Sequence, residues 1–533
     1  MSGLIDINTS YGGRESVQQF SAASLIAELD RTPCSLAFVS SNEGMFDQQR
    51  ANADLLRFCA GDRRLLPAAS IHPRDTFVWE DELRRNLEAG VRLFRIDPDR
   101  AGWPVDSVLM EKIVDRLAGT GAALLVNATT PGLPSRLAER AVPAGIPVIF
   151  TEARYFPLTE LIPLVQRHDD IYIETSRLTS PGGIALCVAE IGAGRLLYGS
   201  GTCRYPARIA WQMLERAEIS GDERSAIAWR NAASLLGLTS LLPSAPEFDR
   251  ADETRQPPSA AVNSIDIVAP RPFSPAIDIH LHDKFPGAPF APFDANAYER
   301  ELDRCGVVAG VSSSATAIFH DLSAGNDENA ALIDAVPLLK GYVVVDPRYP
   351  DASLAELDRL DGDDRWIGVK VHCAHARTAT GSRSMANLMA AVAERGKPIL
   401  VHPLGEDWPE ALVALARTHP HLPIIAAHAG YGDAPHPTHD AALRVAQEPN
   451  IVIEFCSTYL ATGAIRRGIE AVGVERVLFG SDFPLISLEY MRIAYAEAEL
   501  TLGEERFILI ENALRLFPEL ATVVVKGGAG TGD

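Results

Sequence analysis

The chain has 533 residues, 47% of them hydrophobic and 7% aromatic, a composition ordinary for a globular protein and a length beyond one ordinary domain. A formal net charge of −21 argues against sequence-independent nucleic-acid binding, which needs clustered Lys and Arg. Seven scattered cysteines without C-x-x-C spacing predict reduced thiols and a cytoplasmic protein. The opening MSGLIDINTS lacks the basic and apolar regions of a signal peptide, and no apolar run suits a membrane span, so no membrane partner is expected.

From residue 4 onward, short apolar runs alternate with longer amphipathic segments. Strands are predicted at 4–8, 35–39, 65–71, 91–96, 122–127, 147–151, 171–175 and 196–199, with helices such as 22–30, 79–89 and 108–118 between them. Eight β-then-α units predict parallel strands with crossover helices closing into a (β/α)8 barrel. Residues 240–274 break the pattern with Pro, Ser and charge and read as a linker. The alternation then begins again, with strands predicted at 276–282, 307–312, 341–345, 366–372, 398–402, 423–428, 451–455 and 477–480. The expected organisation is therefore a barrel over 1–239, a linker over 240–274, a second barrel over 275–520 and a flexible tail over 521–533.

The two halves also match residue for residue. LIDINTS at 4–10 aligns with AIDIHLH at 276–282, IYIETS at 171–176 with IVIEFCS at 451–457, and RLLYGSG at 195–201 with RVLFGSD at 476–482. This is a duplication, and it serves as an internal control. His280 and His282 correspond to Asn8 and Ser10, His402 to Asn127, His428 to Glu152, Asp482 to Gly201 and Lys370 to Arg95. Of thirteen histidines, only His72 and His168 precede the linker. One copy is chemically equipped and the other is retired.

The equipment has the pattern of a metal site. On a strand, His280 and His282 lie two apart and share a face, and His402, His428 and Asp482 each close a later apolar run. In such barrels the reactive groups gather where strands end. His-rich coordination with one carboxylate and an open position suits one catalytic divalent ion, zinc first, with Mn²⁺, Co²⁺ or Fe²⁺ as substitutes. Lys370 and His372 share strand parity and face the interior, and with His375 and Arg377 in the following loop they are candidate contacts for an anionic substrate. His436 and His439 have helical spacing in a Gly/Pro-rich loop near the pocket rim. In the first copy, Glu152, Arg154, Arg95 and Asp97 are expected to cluster at the degenerate pocket. Asn231 and Asn512 recur in both copies, which assigns them a structural role.

IDIHLH, GVKVH at 368–372, ILVHP, AAHAG, VLFGSDFP and ENALRLF resemble motifs of the amidohydrolase superfamily, in its amidohydrolase-2 branch. That branch includes aminocarboxymuconate-semialdehyde decarboxylase and pyrone-dicarboxylate lactonase. The resemblance implies distorted (β/α)8 barrels, with His280, His282, His402 and Asp482 as metal ligands and His428 acting on the bound water. Asp482 would ligate, accept a proton, or both. The first functional expectation is hydrolysis of a small carboxylated ester, lactone or amide by metal-activated water in the second barrel. The alternative is non-oxidative decarboxylation of a conjugated or aromatic acid, and a further one is a non-catalytic scaffold. The first barrel, a pseudoenzyme domain, is expected to pair with the second as a built-in partner, with homo-oligomerisation left open.

Overall fold

The computed structural model describes residues 3–15, 18–75, 77–127, 129–238, 273–286, 293–430, 444–445 and 447–528. The expected linker lies outside these except at its end, as do His436 and His439. The chain divides into two compact units, each with its own sheet.

In the first unit the strands are β1 (Leu4–Glu15), β2 (Gln18–Phe20), β3 (Cys34–Ser41), β4 (Leu65–Ser70), β5 (Leu93–Ile96), β6 (Ala123–Asn127), β7 (Val148–Thr151), β8 (Ile171–Glu174) and β9 (Leu196–Leu197). Their order is β2-β1-β3-β4-β5-β6-β7-β8-β9, all parallel except β2, which pairs antiparallel with the far end of β1. That hairpin was not expected, because the polar, glycine-containing segment after residue 8 carries no apolar alternation. In the second unit the strands are β10 (Ala276–His282), β11 (Val307–Ser313), β12 (Leu339–Val345), β13 (Trp366–His372), β14 (Ile399–His402), β15 (Ile424–Ala426), β16 (Ile451–Glu454) and β17 (Val477–Leu478), paired in that order and all parallel. Each sheet curls back on its first strand. Ile7 N donates to Tyr198 O in one, and Ile279 N to Phe479 O in the other, both at 3.1 Å. The architecture is two tandem (β/α)8 barrels.

The strands read as near-continuous apolar runs, as parallel strands covered on both faces must. Helices follow their own period. In the helix Arg383–Arg395, Ser382 caps the start by accepting from Met385 N, and Met385, Leu388, Met389 and Val392 form the buried stripe. Gly396, at φ 65°, ends it in the left-handed conformation that glycine tolerates.

One apolar cluster in each unit draws on nearly every strand and so fills the barrel interior. In the second it includes Ile277, Ile279, Val311, Tyr342, Leu400, Ile425 and Leu478, closed below by Ala513, Phe517, Leu520 and Val523. Leu520 and Val523 belong to a helix, Leu520–Gly528, so the expected tail from 521 instead begins as part of the core. The run of three valines, at 523–525, is short and is followed by Lys526 and two glycines, so it carries little helical period in the sequence. Asn231 Nδ2 donates to the carbonyls of Ala193 and Leu196, and Asn512 Nδ2 to those of Val474 and Val477. Each asparagine therefore ties the last helices to the turn before the final strand, which is the structural role its presence in both copies implies.

Candidate metal centre

The site of the second barrel is assembled by backbone irregularities as much as by strand ends. Strict alternation cannot aim both Ile277 and Ile279, which belong to the interior cluster, and His280 and His282 into one barrel. A register shift between Asp278 and Leu281 resolves the conflict by re-aiming the two histidines. Asp278 holds this turn: its Oδ1 accepts from His280 N at 3.0 Å and from Ser481 N at 3.2 Å, joining β10 to the segment after β17. Burial pushes its carboxyl up to about 7. The first barrel keeps the device, with Asp6 accepting from Asn8 N and Ser200 N, both at 3.1 Å.

His280, His282 and Asp482 converge. The rings of the two histidines lie 5.3 Å apart, and their Nε2 atoms lie 3.9 and 3.0 Å from Asp482 Oδ1. Burial alone would raise the Asp482 carboxyl, but the hydrogen bond with His282 and the neighbouring His280 and His428 hold it below the usual carboxylate range. His282 Nδ1 lies 3.2 Å from the Ser313 carbonyl, an acceptor that can take the ring proton and so free Nε2 for an ion placed between it and Asp482. His280 Nδ1 lies 3.0 Å from Glu454 Oε1, which fixes that ring in the same way.

Glu454 and Cys456 are the residues that sequence reasoning missed. Glu454 is fully buried, and its Oε1 also accepts from His428 N at 2.7 Å while Oε2 accepts from Cys456 N. Cys456 Sγ sits 3.1 Å from His280 Nδ1, and burial keeps the thiol well above its usual range. Glu174 in the first copy does the corresponding work, accepting from Asn8 Nδ2 at 3.1 Å and from Ser176 N. The signal was present in the aligned IYIETS and IVIEFCS, where a charged residue recurs at the end of an apolar strand.

His428 has a left-handed backbone, φ 63°, that turns its ring back over the site, 5.2 Å from the ring of His280 and 4.6 Å from that of His402. Its Nε2 is buried without a hydrogen-bond partner among the described residues. His402 is buried, pairs in register with His372 and stacks on it at 3.8 Å and 17°. It is not drawn into the tight group of His280, His282 and Asp482. Lys370 is fully buried and opposite the interior Leu400, with Nζ 2.9 Å from His280 Nε2; burial pulls it down to about 8. Burial, then the Lys370 cation, hold His280 and His372 well below the usual histidine range. His375 packs edge-on against Phe319 at 4.5 Å, whereas Arg377 stays on the surface.

Two imidazole nitrogens and a carboxylate oxygen within one ligand sphere, beside the orphaned His428 Nε2, fit a divalent ion with an N/O preference. A second group, His280, His428, Glu454 and Cys456, uses the other nitrogen of His280, which Glu454 already engages.

The profile of the amidohydrolase family matches residues 36–238 and again 277–518. The chain belongs to the amidohydrolase family. Because the match occurs once in each barrel, this amidohydrolase is a tandem duplication. Similar solved structures include 2,6-dihydroxybenzoate decarboxylase from Rhizobium (17% identity, 46% of this chain and 99% of that one, TM-score 0.37). Another is 5-carboxyvanillate decarboxylase from Sphingomonas paucimobilis (16%, 46% and 99%, 0.36). A third is a dihydroxybenzoic acid decarboxylase from Polaromonas sp. JS666 with bound manganese and 2-nitroresorcinol (17%, 46% and 97%, 0.36). At these scores the likeness carries no argument about the reaction of this amidohydrolase. No curated protein matches the chain. Among the described residues, no helix is long and apolar enough to cross a membrane.

Proposed function

We propose that the second barrel is a metal-dependent decarboxylase that removes CO2 from a planar, conjugated or aromatic carboxylic acid without redox chemistry. The observation behind this reading is a run of flat rings, Phe319, His375, His372 and His402, that ends beside His428 and the Lys370 cation. A planar acid can stack along such rings, and its carboxylate is drawn inward by buried positive charge. His280, His282 and Asp482 would hold the ion, with His402 as a further ligand once the ion draws it in. A divalent ion there supplies Lewis-acid charge that binds substrate oxygens and stabilises negative charge developing on the substrate.

The chain's own residues would do the rest. Lys370 balances the substrate's charge, and the burial of the surrounding groups excludes bulk water. The carbon–carboxylate bond breaks, its electron pair stays on the substrate carbon, and a proton held at His428 Nε2 is delivered to that carbon. A second reading, hydrolysis of a carboxylated ester, lactone or amide, is favoured by Asp482. Its carboxyl is held in the ionised form beside His282, suited to accepting a proton from water.

The test is incubation of metal-loaded protein with hydroxybenzoates, conjugated diacids and carboxylated lactones, following released CO2 and consumed ester separately. CO2 release with one solvent deuterium in the product is the expected result. Ester or lactone turnover without CO2 would replace this reading by the second. Elemental analysis of the same protein identifies the ion among zinc, manganese, cobalt and iron.

Glu454 supplies a prediction of its own. Glu454→Gln keeps the shape but loses the full acceptor that orients His280, so affinity for the ion is expected to fall about 10- to 100-fold. A chelator competition titration measures this. Unchanged affinity would reduce Glu454 to packing.

A further inference from the structure

In the first barrel, the position of the metal centre is filled by a different chemistry. Glu152 stands where His428 stands in the second copy and keeps the left-handed backbone, at φ 57°. Three guanidiniums reach toward it: Arg154, Arg177 and Arg204, at 3.6, 3.3 and 3.9 Å. Gly201 stands where Asp482 stands, and the room that a side chain would take is occupied by the ring of Tyr205, 2.8 Å from where a Cβ would lie. Arg177 and Arg204 lie over that ring, at 4.3 and 5.2 Å from its centroid. The buried Tyr205 Oη has no hydrogen-bond partner among the described residues.

The fourth guanidinium is the informative one. Arg95 pairs in register with Leu125 of the interior cluster, so it points into the barrel at the level of Lys370 in the second copy. It remains partly exposed, and no carboxylate among the described residues reaches ion-pairing distance of it. Burial pulls its pKa down, with Asp97 the largest opposing influence. Asp97 is instead engaged by Asn127, whose Nδ2 donates to Oδ1 at 3.3 Å. The Oδ1 of Asn127 is buried without a donor among the described residues.

An available guanidinium, a phenol lacking an acceptor and an amide oxygen lacking a donor call for a specific ligand. We infer that the mouth of the first barrel is a binding site for a small hydroxycarboxylate. Its carboxylate takes the fork of Arg95 and the Tyr205 hydroxyl, and its own hydroxyl donates to Asn127 Oδ1. Planar two-point pairing with a carboxylate is what a guanidinium does best. Arg95, Arg154, Arg177 and Arg204 outnumber Glu152 and Asp97 at this mouth, which favours an anionic ligand over a cation. The inference does not rest on the reaction proposed for the second barrel.

The experiment is titration of full-length protein with 2-hydroxybenzoate, benzoate and inorganic phosphate, read by calorimetry and by hydrogen-exchange protection of peptides spanning 93–97, 123–127 and 198–205. Protection of these segments by 2-hydroxybenzoate, more strongly than by benzoate, is expected. Arg95→Met should weaken it by about tenfold or more, the loss of a hydrogen bond to a charged group. Tyr205→Phe, which deletes one hydroxyl, should weaken binding in the same direction and serves if Arg95→Met fails to fold. Protection by phosphate alone, no protection in the first barrel at saturation, or unchanged binding in both folded variants would overturn the assignment.

Discussion

Asp482→Asn is expected to leave a folded protein that has lost both its ion and its turnover. The substitution preserves volume but removes the anionic oxygen on which His280 and His282 converge, at 3.9 and 3.0 Å. It also removes the group whose ionised form those histidines favour. A fall in kcat/KM of about 10²- to 10⁴-fold is the range for losing a positioned acid–base group. Loss of the ion would deepen it further. Elemental analysis beside steady-state kinetics reads both effects. A variant that keeps full metal content and wild-type activity would remove Asp482 from the centre altogether.

His428→Gln should behave differently, and the contrast assigns its role. If His428 delivers the proton rather than binding the ion, metal content stays near wild type while kcat falls by about 10²- to 10⁴-fold. The orphaned Nε2 motivates this, because each ring nitrogen of His280 and His282 already faces a carboxylate, a carbonyl or Lys370. Loss of metal in parallel with activity would make His428 a ligand instead. Little change in either would return the ring to a packing role.

The residue pattern made the barrels legible because parallel strands buried on both faces leave long apolar runs at regular spacing. It exposed His280, His282 and Asp482 because the duplicated copy lacks them, so candidate ligands stood out against shared scaffold. The same comparison hid Glu454. Its counterpart Glu174 is present in the first copy, and residues common to both were read as framework. That description holds for both glutamates, yet in the second barrel the framework includes the group that sets the His280 tautomer. The register shift in β10 was illegible for another reason. Alternation in sequence assumes a regular strand, and only pairing with β11 shows where that regularity fails. The ring stack of His372 on His402 likewise depends on register between β13 and β14, which no single strand encodes.

Four positions share a backbone twist to the left: Glu152 and His428 after one pair of equivalent strands, Gly201 and Asp482 after another. A side chain held there costs on the order of 1–3 kcal/mol, and glycine escapes most of that. In the first copy only one of these places is relaxed. Position 201 carries the residue that the twist suits, whereas position 152 carries a carboxylate among arginines at the cost of a strained main chain. Strain kept at Glu152 and absent at Gly201 separates the two places: one still holds a charged side chain against arginines, and the other has made room for the ring of Tyr205.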